Sequence, residues 1–146
     1  MLTKRPDQKV LGYLGRGLSM ELSAVQQYST HARLLAAWGL GAAADKFRKE
    51  ALEEMGHAER LIERMLAIGA APAASHLRPV RLAKDLSSLL LVNREFEAEI
   101  VTLYESAVRH CASEGDKDNY IFFDELLKEE RHHHAELDAW LKRLQE

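Results

Sequence analysis

Two short runs of this chain pair a carboxylate with an imidazole three residues further on: Glu54-Met55-Gly56-His57 and Glu130-Arg131-His132-His133. On a helix that spacing puts both side chains on one face, about one turn apart. Two such pairs, joined by one carboxylate from each of two other helices, make the dinuclear metal site of a four-helix bundle. Glu129 and His132 share the spacing, so the second run has two registers, and heptad neighbours decide between them. Glu130 falls in line with Phe123, Leu137 and Leu144, and His133 with Leu126 and Trp140. Glu129 lines up instead with Phe122, Glu136 and Arg143, and His132 with Glu125 and Ala139. The inward pair is Glu130 and His133.

The elements that must position these groups can be read in order. From about Pro6 to Ala37 the apolar positions step by three and four through Leu11, Leu14, Leu18, Val25, Tyr28, Ala32 and Leu35, and Glu21 sits among them. A lone carboxylate on a core stripe needs a partner, because burying an unpaired charge costs several kcal/mol or more. Gly12, Gly15 and Gly17 each weaken the helix by about 1 kcal/mol relative to Ala. Close helix packing or a frayed start is expected there; with no preceding strand and the wrong spacing, they do not form a phosphate-binding loop.

Trp38-Gly39-Leu40-Gly41 reads as a short turn, so the second helix, about Ala42 to Ile68, runs back beside the first. Its core stripe passes through Phe47, Ala51, Glu54, Ala58, Leu61, Met65 and Ile68, with His57 beside Glu54. A second apolar line, Leu52, Met55, Ile62 and Leu66, is rotated away from it and predicts contact with another subunit. Gly69 to Lys84 has Pro72, Pro79 and no helical periodicity. A helix of about 27 residues spans roughly 40 Å, and about 15 extended residues reach roughly 50 Å. The segment can cross the whole bundle, leaving helices two and three parallel. The competing reading, a linker between domains, leaves each half too few helices for a stable core.

The third helix, about Asp85 to Ala112, carries Leu86, Leu90, Asn93, Glu97, Ile100, Tyr104, Ala107 and Cys111 on one side. Glu97 is the inward carboxylate and Glu99 the weaker alternative; Glu95 falls in line with Ser88 and Thr102. Ser113-Glu114-Gly115-Asp116 ends this helix and caps the fourth, about Lys117 to Leu144. The expected fold is all-α, one antiparallel four-helix bundle over residues 1–146 with a long crossover between helices two and three.

Each helix thus brings one carboxylate to the buried stripe, Glu21, Glu54, Glu97 and Glu130, and two bring a histidine. Four carboxylates and two neutral imidazoles balance two divalent cations, whereas alone they repel one another and require protons. Oxygen-rich ligation with a few imidazoles suits iron or manganese; structural zinc more often uses cysteine, absent from these positions. Two irons bridged by carboxylates can each give one electron to an oxygen species. The expected reaction is oxidation of Fe(II) to Fe(III) by dioxygen or peroxide.

A net charge of −3 over 146 residues gives no electrostatic reason to expect nucleic acid or a membrane surface as partner. The single cysteine, Cys111, cannot form an internal disulfide and reads as a small core residue in a reducing cytoplasm. Met1 to Lys9 lacks the apolar core of a signal peptide, and the longest apolar run, Leu34 to Ala44, is too short to span a bilayer.

From about Val10 to Leu144 the chain resembles the bacterioferritins. The matching runs are Glu21-Leu22-x-Ala24-x-x-Gln27-Tyr28, His31-Ala32-Arg33 with Trp38-Gly39-Leu40, Glu54-Met55-x-His57-Ala58 with Ile62-Glu63-Arg64, and Glu129-Glu130-x-x-His133. The resemblance implies a ferritin-like bundle with a ferroxidase centre in which Glu54 and Glu130 bridge two irons per subunit. Glu21 and His57 then complete one iron, and Glu97 and His133 the other. Tyr28 matches a tyrosine close to that centre, where it can supply an electron. Met55 matches the methionine whose sulfur, with its copy from a two-fold related subunit, ligates a b-type haem iron. The haem is then a route for electrons that release stored iron, delivered by a ferredoxin-type donor.

The same resemblance implies a hollow homo-oligomeric cage built from two-fold dimers. The sequence given ends at Glu146, where large ferritin cages continue into a short fifth helix, so the expected shell has twenty-four or twelve subunits. A histidine and an aspartate that bind an inner-surface iron in some bacterioferritins correspond to Lys49 and Glu53, which predicts weak electron transfer from interior iron. His132 and His134 are expected to be solvated or to face the cavity, and His31 to anchor the end of helix one or line an iron route. Arg78, Arg81 and Lys84 are expected to pair with a neighbouring subunit. The leading expectation is a cytoplasmic iron-storage ferroxidase. The alternative is a small-assembly di-iron oxidoreductase that reduces oxygen or peroxide and stores no mineral; complete ligands argue against a purely structural haem subunit.

Overall fold

Four long amphipathic helices account for almost all of the chain. The computed structural model describes residues 7–72 and 76–146. It comprises α1 (Gln8–Ala37), α2 (Gly41–Ala67), α3 (Leu86–Glu114) and α4 (Lys117–Leu144). Among the described residues there is no strand, and no helix is long and apolar enough to cross a membrane.

The helix ends lie where side chains can satisfy their free amides. Asp7 caps α1 by accepting from the Lys9 amide at 2.8 Å, so the helix starts at Gln8; Pro6 lies outside the described residues. Asp85 and Ser88 form a reciprocal capping box at the start of α3. Asp85 is therefore the cap and not, as expected, the first helical residue. Helix α3 continues through Ser113 and Glu114 to stop at Gly115, whose φ of 68° suits a residue without Cβ, and Asp116 caps α4.

The three-residue turn after α1 lays α2 antiparallel to it, and Gly115-Asp116 does the same for α3 and α4. Across the bundle, Glu21 faces Tyr104 while Tyr28 faces Glu97, so α1 and α3 are antiparallel too. Helices α2 and α3 then run parallel, which the crossover permits. That crossover is fastened to its own chain. The Arg78 amide donates to Ser23 Oγ at 2.9 Å, and His31 Nε2 lies 2.7 Å from the Arg81 carbonyl. Arg81 pairs with Glu95 at 2.9 Å, and Arg78 pairs with Glu99. Within the chain, then, α3 presents acidic partners to these two arginines. Lys84 is exposed. His31 anchors the crossover, with Asn93 Nδ2 2.8 Å from its other nitrogen.

Core positions follow the expected stripes with small shifts. Leu11 and Val25 are only half-buried, their places in the core taken by Val10 and Ala24, and Leu144 is exposed with Leu141 closing the end of α4. Gly17 packs closely, as one of the two readings for the glycines required: a Cβ there would lie 3.3 Å from Tyr104 and 3.4 Å from Leu61, whereas Gly15 has open space.

Candidate metal centre

The polar residues on the four stripes meet halfway along the bundle. Glu21, Glu54, Glu97 and Glu130 are fully buried, and His57 and His133 nearly so. Their ligand atoms fall into two overlapping groups, each within 4.8 Å: Glu21, Glu54, His57 and Glu130, and Glu54, Glu97, Glu130 and His133. Glu54 and Glu130 belong to both. Glu99, the weaker alternative to Glu97, is exposed and points to Arg78.

Both imidazoles turn Nδ1 toward the middle. His57 Nδ1 is 2.8 Å from Glu130 Oε1, 3.5 Å from Glu21 Oε2 and 3.8 Å from Glu54 Oε2. His133 Nδ1 is 2.8 Å from Glu54 Oε1, without hydrogen-bonding geometry, and 3.5 Å from Glu130 Oε2. The rings lie nearly parallel, with centroids 5.9 Å apart. Glu21 Oε2, both Glu54 oxygens, Glu97 Oε2, Glu130 Oε2 and His133 Nδ1 are buried without a hydrogen-bond partner. Buried polar atoms are almost always partnered, so orphans concentrated at one point indicate what the point is built to hold. Five carboxylate oxygens and one imidazole nitrogen are the donor set of a hard or borderline divalent cation.

The electrostatics agree. Burial raises the pKa of Glu21, Glu54 and Glu97, and the neighbouring carboxylates raise it further, Glu54 and Glu97 ending well above the ordinary range. Burial acts the same way on Glu130, but its close neighbours Glu97, His133, His57 and Glu54 outweigh it and hold this carboxylate well below the range. Burial opposes charging His57 and His133, yet the Glu130 carboxylate beside both rings pushes them up to about 10 and about 9. Without metal the six groups are held together by protons, and a cation entering the site displaces them.

Outside these six, further groups touch the centre. Tyr28 donates to Glu97, and Tyr104 donates to Glu21 at 2.7 Å. Glu129, assigned to the solvent side, is half-exposed but lies 2.9 Å from His57 Nε2, and Arg60 holds it at 2.6 Å. Glu53 lies 2.7 Å and Glu50 3.4 Å from His133 Nε2. A metal-bound histidine commonly has a carboxylate on its outer nitrogen. The signal for Glu129 and Glu53 was their place one residue before each inward glutamate. A cleft of about 800 Å³ between α1 and α3 is lined by Tyr13, Met20 and Leu103 among others, and none of the six residues reaches it.

The ferritin-like domain family matches residues 11–146. The chain is 36% identical to bacterioferritin of Rhodobacter capsulatus over 127 residues, 87% of this chain and 79% of that one. The chain belongs to the bacterioferritin family. Bacterioferritin of Brucella melitensis biotype 1 is 35% identical over the same length. The 2.6 Å structure of Rhodobacter capsulatus bacterioferritin matches with a TM-score of 0.91 at 34% identity, covering 95% of this chain and 87% of that chain. That bacterioferritin is described with a metal-free dinuclear site and a haem iron in a crystallographic special position.

On a face of α2 turned away from the buried carboxylates, Met55 is 36% exposed, and Leu52 and Leu66 share that face at 73% and 61%. Ile62, expected on this outer line, is half-buried and packs on the chain's own core. His132 is exposed and pairs with Glu136 at 2.9 Å, His134 is half-buried, and Cys111 is fully buried.

Proposed function

We propose that this chain is the subunit of an iron-storage and detoxification protein that oxidises Fe(II) to Fe(III) at a di-iron ferroxidase centre and holds the mineral inside a hollow homo-oligomeric cage. The observation that carries this reading is the pair of overlapping ligand groups sharing Glu54 and Glu130 at the middle of a bacterioferritin bundle. Glu54 and Glu130, common to both groups, would hold both metals, with Glu21 and His57 completing one position and Glu97 and His133 the other. The bound irons supply two electrons to dioxygen or peroxide. The chain's own part is to neutralise charge with four carboxylates, to exclude bulk water by burying all six groups, and to release the protons that hold the centre when metal is absent. Tyr28, hydrogen-bonded to Glu97 and kept neutral because burial and then that carboxylate raise its pKa, is placed to give up an electron together with its proton.

Met55 is proposed as an axial ligand of a b-type haem shared with a two-fold related copy. Support comes from its sulfur standing on an α2 face whose leucines the chain's own core leaves uncovered. A haem held there would supply a path for electrons toward stored iron, with a ferredoxin-type protein as their donor. A cytoplasmic location completes the reading.

Aerobic loading with Fe(II) far beyond two per chain, followed by size-exclusion chromatography with iron and haem quantified, tests it. Iron in large excess co-eluting with a high-mass species is expected, and the mass selects twenty-four or twelve subunits. Iron stopping near two per chain on a small species would leave a non-storing di-iron oxidoreductase. Met55→Leu is expected to remove haem from the peak while leaving Fe(II) oxidation unchanged.

A further inference from the structure

Helices α1 and α3 carry the same device. In α1 a glutamate is followed seven residues later by a tyrosine, Glu21 and Tyr28; in α3 the same interval separates Glu97 and Tyr104. Seven residues are about two turns, so each tyrosine shares the inward face of its own glutamate. Because the helices are antiparallel, each phenol meets the glutamate of the other helix. Tyr28 donates to Glu97 Oε1, and Tyr104 donates to Glu21 Oε1 at 2.7 Å. Both tyrosines are buried, at 2% and 0% exposure.

The two bonds divide the carboxylates into kinds. On Glu21 and Glu97 the phenol occupies Oε1 and leaves Oε2 buried without a partner. On Glu54 neither oxygen has a partner, and on Glu130 the one partner, at Oε1, is His57 Nδ1, itself a member of the ligand set. A phenol is not itself one of the ligands, so it can keep its hold on one oxygen when a metal enters and favour binding through the other, whereas a carboxylate held only by fellow ligands, or by nothing, is left free to span two metals. The fold also makes specific room for the second phenol. Gly17 lies one turn before Glu21, and a Cβ there would stand 3.3 Å from both Cε1 and Oη of Tyr104. Phe123 closes the other side, with ring centroids 6.2 Å apart.

We infer that Tyr104 is a positioning residue of the metal centre: its hydroxyl fixes Glu21 as a one-oxygen terminal ligand at the Glu21–His57 position, as Tyr28 fixes Glu97 at the other. The inference rests on the di-metal reading above. A phenol that merely fills the core would be replaced by Phe without any effect on metal, and that difference is measurable.

Co(II) titration of metal-depleted full-length protein, followed by calorimetry and by the Co(II) absorption bands, separates the cases. The unaltered chain is expected to bind two Co(II); failure to do so would overturn both the di-metal reading and this inference. His133→Ala leaves only the Glu21–His57 position, and His57→Ala only the other. In the His133→Ala background, Tyr104→Phe is expected to weaken Co(II) binding by about tenfold or more, as loss of outer partners typically does, and to alter the band intensities as Glu21 becomes free to bind through both oxygens. In the His57→Ala background the same change is expected to leave binding within about twofold, and Tyr28→Phe to give the reverse pattern. In the otherwise unaltered chain, Tyr104→Phe weakens one of the two Co(II) steps and spares the other. Equal losses in both backgrounds, a loss confined to the His57→Ala background, or no loss at all, with two Co(II) still bound by the unaltered chain, would overturn the role of Tyr104 alone.

Discussion

The two halves of the centre present the same ligands and differ in what stands behind them. Behind His57, Glu129 lies 2.9 Å from Nε2, and Arg60 neutralises that glutamate at 2.6 Å and reaches Glu125 at 3.5 Å. Behind His133, Nε2 meets two carboxylates, Glu53 at 2.7 Å and Glu50 at 3.4 Å, and no Lys or Arg forms an ion pair with either among the described residues. Burial raises the pKa of Glu50, with Glu53 adding to it and His133 opposing, and one of its oxygens has no hydrogen-bond partner. Pseudo-symmetric helices therefore do not give equivalent metal positions. The ring of His57 is locked by a compensated chain of charges, while that of His133 rests on an acidic pair that gains from positive charge beside it.

Removing a shared ligand should erase the distinction altogether. Glu130→Ala takes a carboxylate from both ligand groups and strips both imidazoles of their nearest common anion. Binding in both halves is expected to fall, from two Co(II) per chain to less than one at concentrations that saturate the unaltered protein. The metal-free protein is also expected to lose about 3 to 5 kcal/mol, the usual cost of leaving buried charge uncompensated. Calorimetric titration and denaturant melts check the two effects. Retention of one tightly held Co(II) would show that the halves are independent and that Glu130 is not shared.

The next test is of the protons that hold the centre without metal. His57 and His133 are raised from the ordinary 6.5 to about 10 and about 9. Between 6.5 and about 9 the folded metal-free chain keeps protons on both rings that the unfolded chain has released. The folded state binds more protons there, so stability falls as pH rises, by roughly 1 kcal/mol per pH unit for each ring. Glu54 and Glu97, also raised, act in the same direction above the ordinary carboxylate range. Glu130 is ionised in both states across this window and contributes no slope. The Tm of metal-depleted protein is expected to drop steadily from pH 6.5 to 9, and saturation with Co(II) to flatten or reverse the trend, because the metal takes over the protons' role. A metal-free Tm independent of pH over this range would contradict the charge assignment of the centre.

The unequal support behind the histidines gives a smaller, sharper test. Glu129→Ala is expected to weaken the metal at the Glu21–His57 position by roughly 10- to 100-fold. Glu53→Ala should cost the other position less, at the lower end of that range, because Glu50 remains 3.4 Å from His133 Nε2. The Co(II) steps resolved in the single-position backgrounds measure both, and equal losses would mean that Glu50 does not substitute for Glu53.

How much of this was written in the sequence depends on whether a residue acts along its own helix or across to another. Glu21, Glu54, Glu97, Glu130 and the two histidines stand out because each breaks or accompanies an apolar stripe, a property of one helix alone. The crossover was legible from length and from its prolines. Which acidic side chains its arginines meet was not, since Glu95 and Glu99 face outward on a helix whose orientation beneath Arg78 and Arg81 exists only in the fold. Glu129 and Glu53 were hidden for a related reason. Their heptad lines are those of solvent-facing residues, and they reach inward only because a long side chain meets a histidine arriving from the opposite helix. Tyr104 falls on its expected stripe, but its bond to Glu21 depends on the relative register of α1 and α3, which one helix alone does not reveal.

Gly17 offers the mildest way to disturb one half without touching a ligand. Gly17→Ala adds a methyl group 3.3 Å from Tyr104 and 3.4 Å from Leu61. The neighbours must shift by a few tenths of an ångström, and overpacking of this kind costs about 1 to 3 kcal/mol. Replacing glycine inside a helix returns about 1 kcal/mol through propensity. The net change is expected to be small and destabilising, about 1 kcal/mol, seen as a Tm lower by a few degrees. The more informative reading is at the metal. Tyr104 can move away from Gly17 only by altering its 2.7 Å bond to Glu21, so the Glu21–His57 position should weaken slightly while the Glu97–His133 position stays constant. A drop in Tm with both Co(II) steps unchanged would mean that Leu61 absorbs the strain and that the phenol keeps its hold on Glu21.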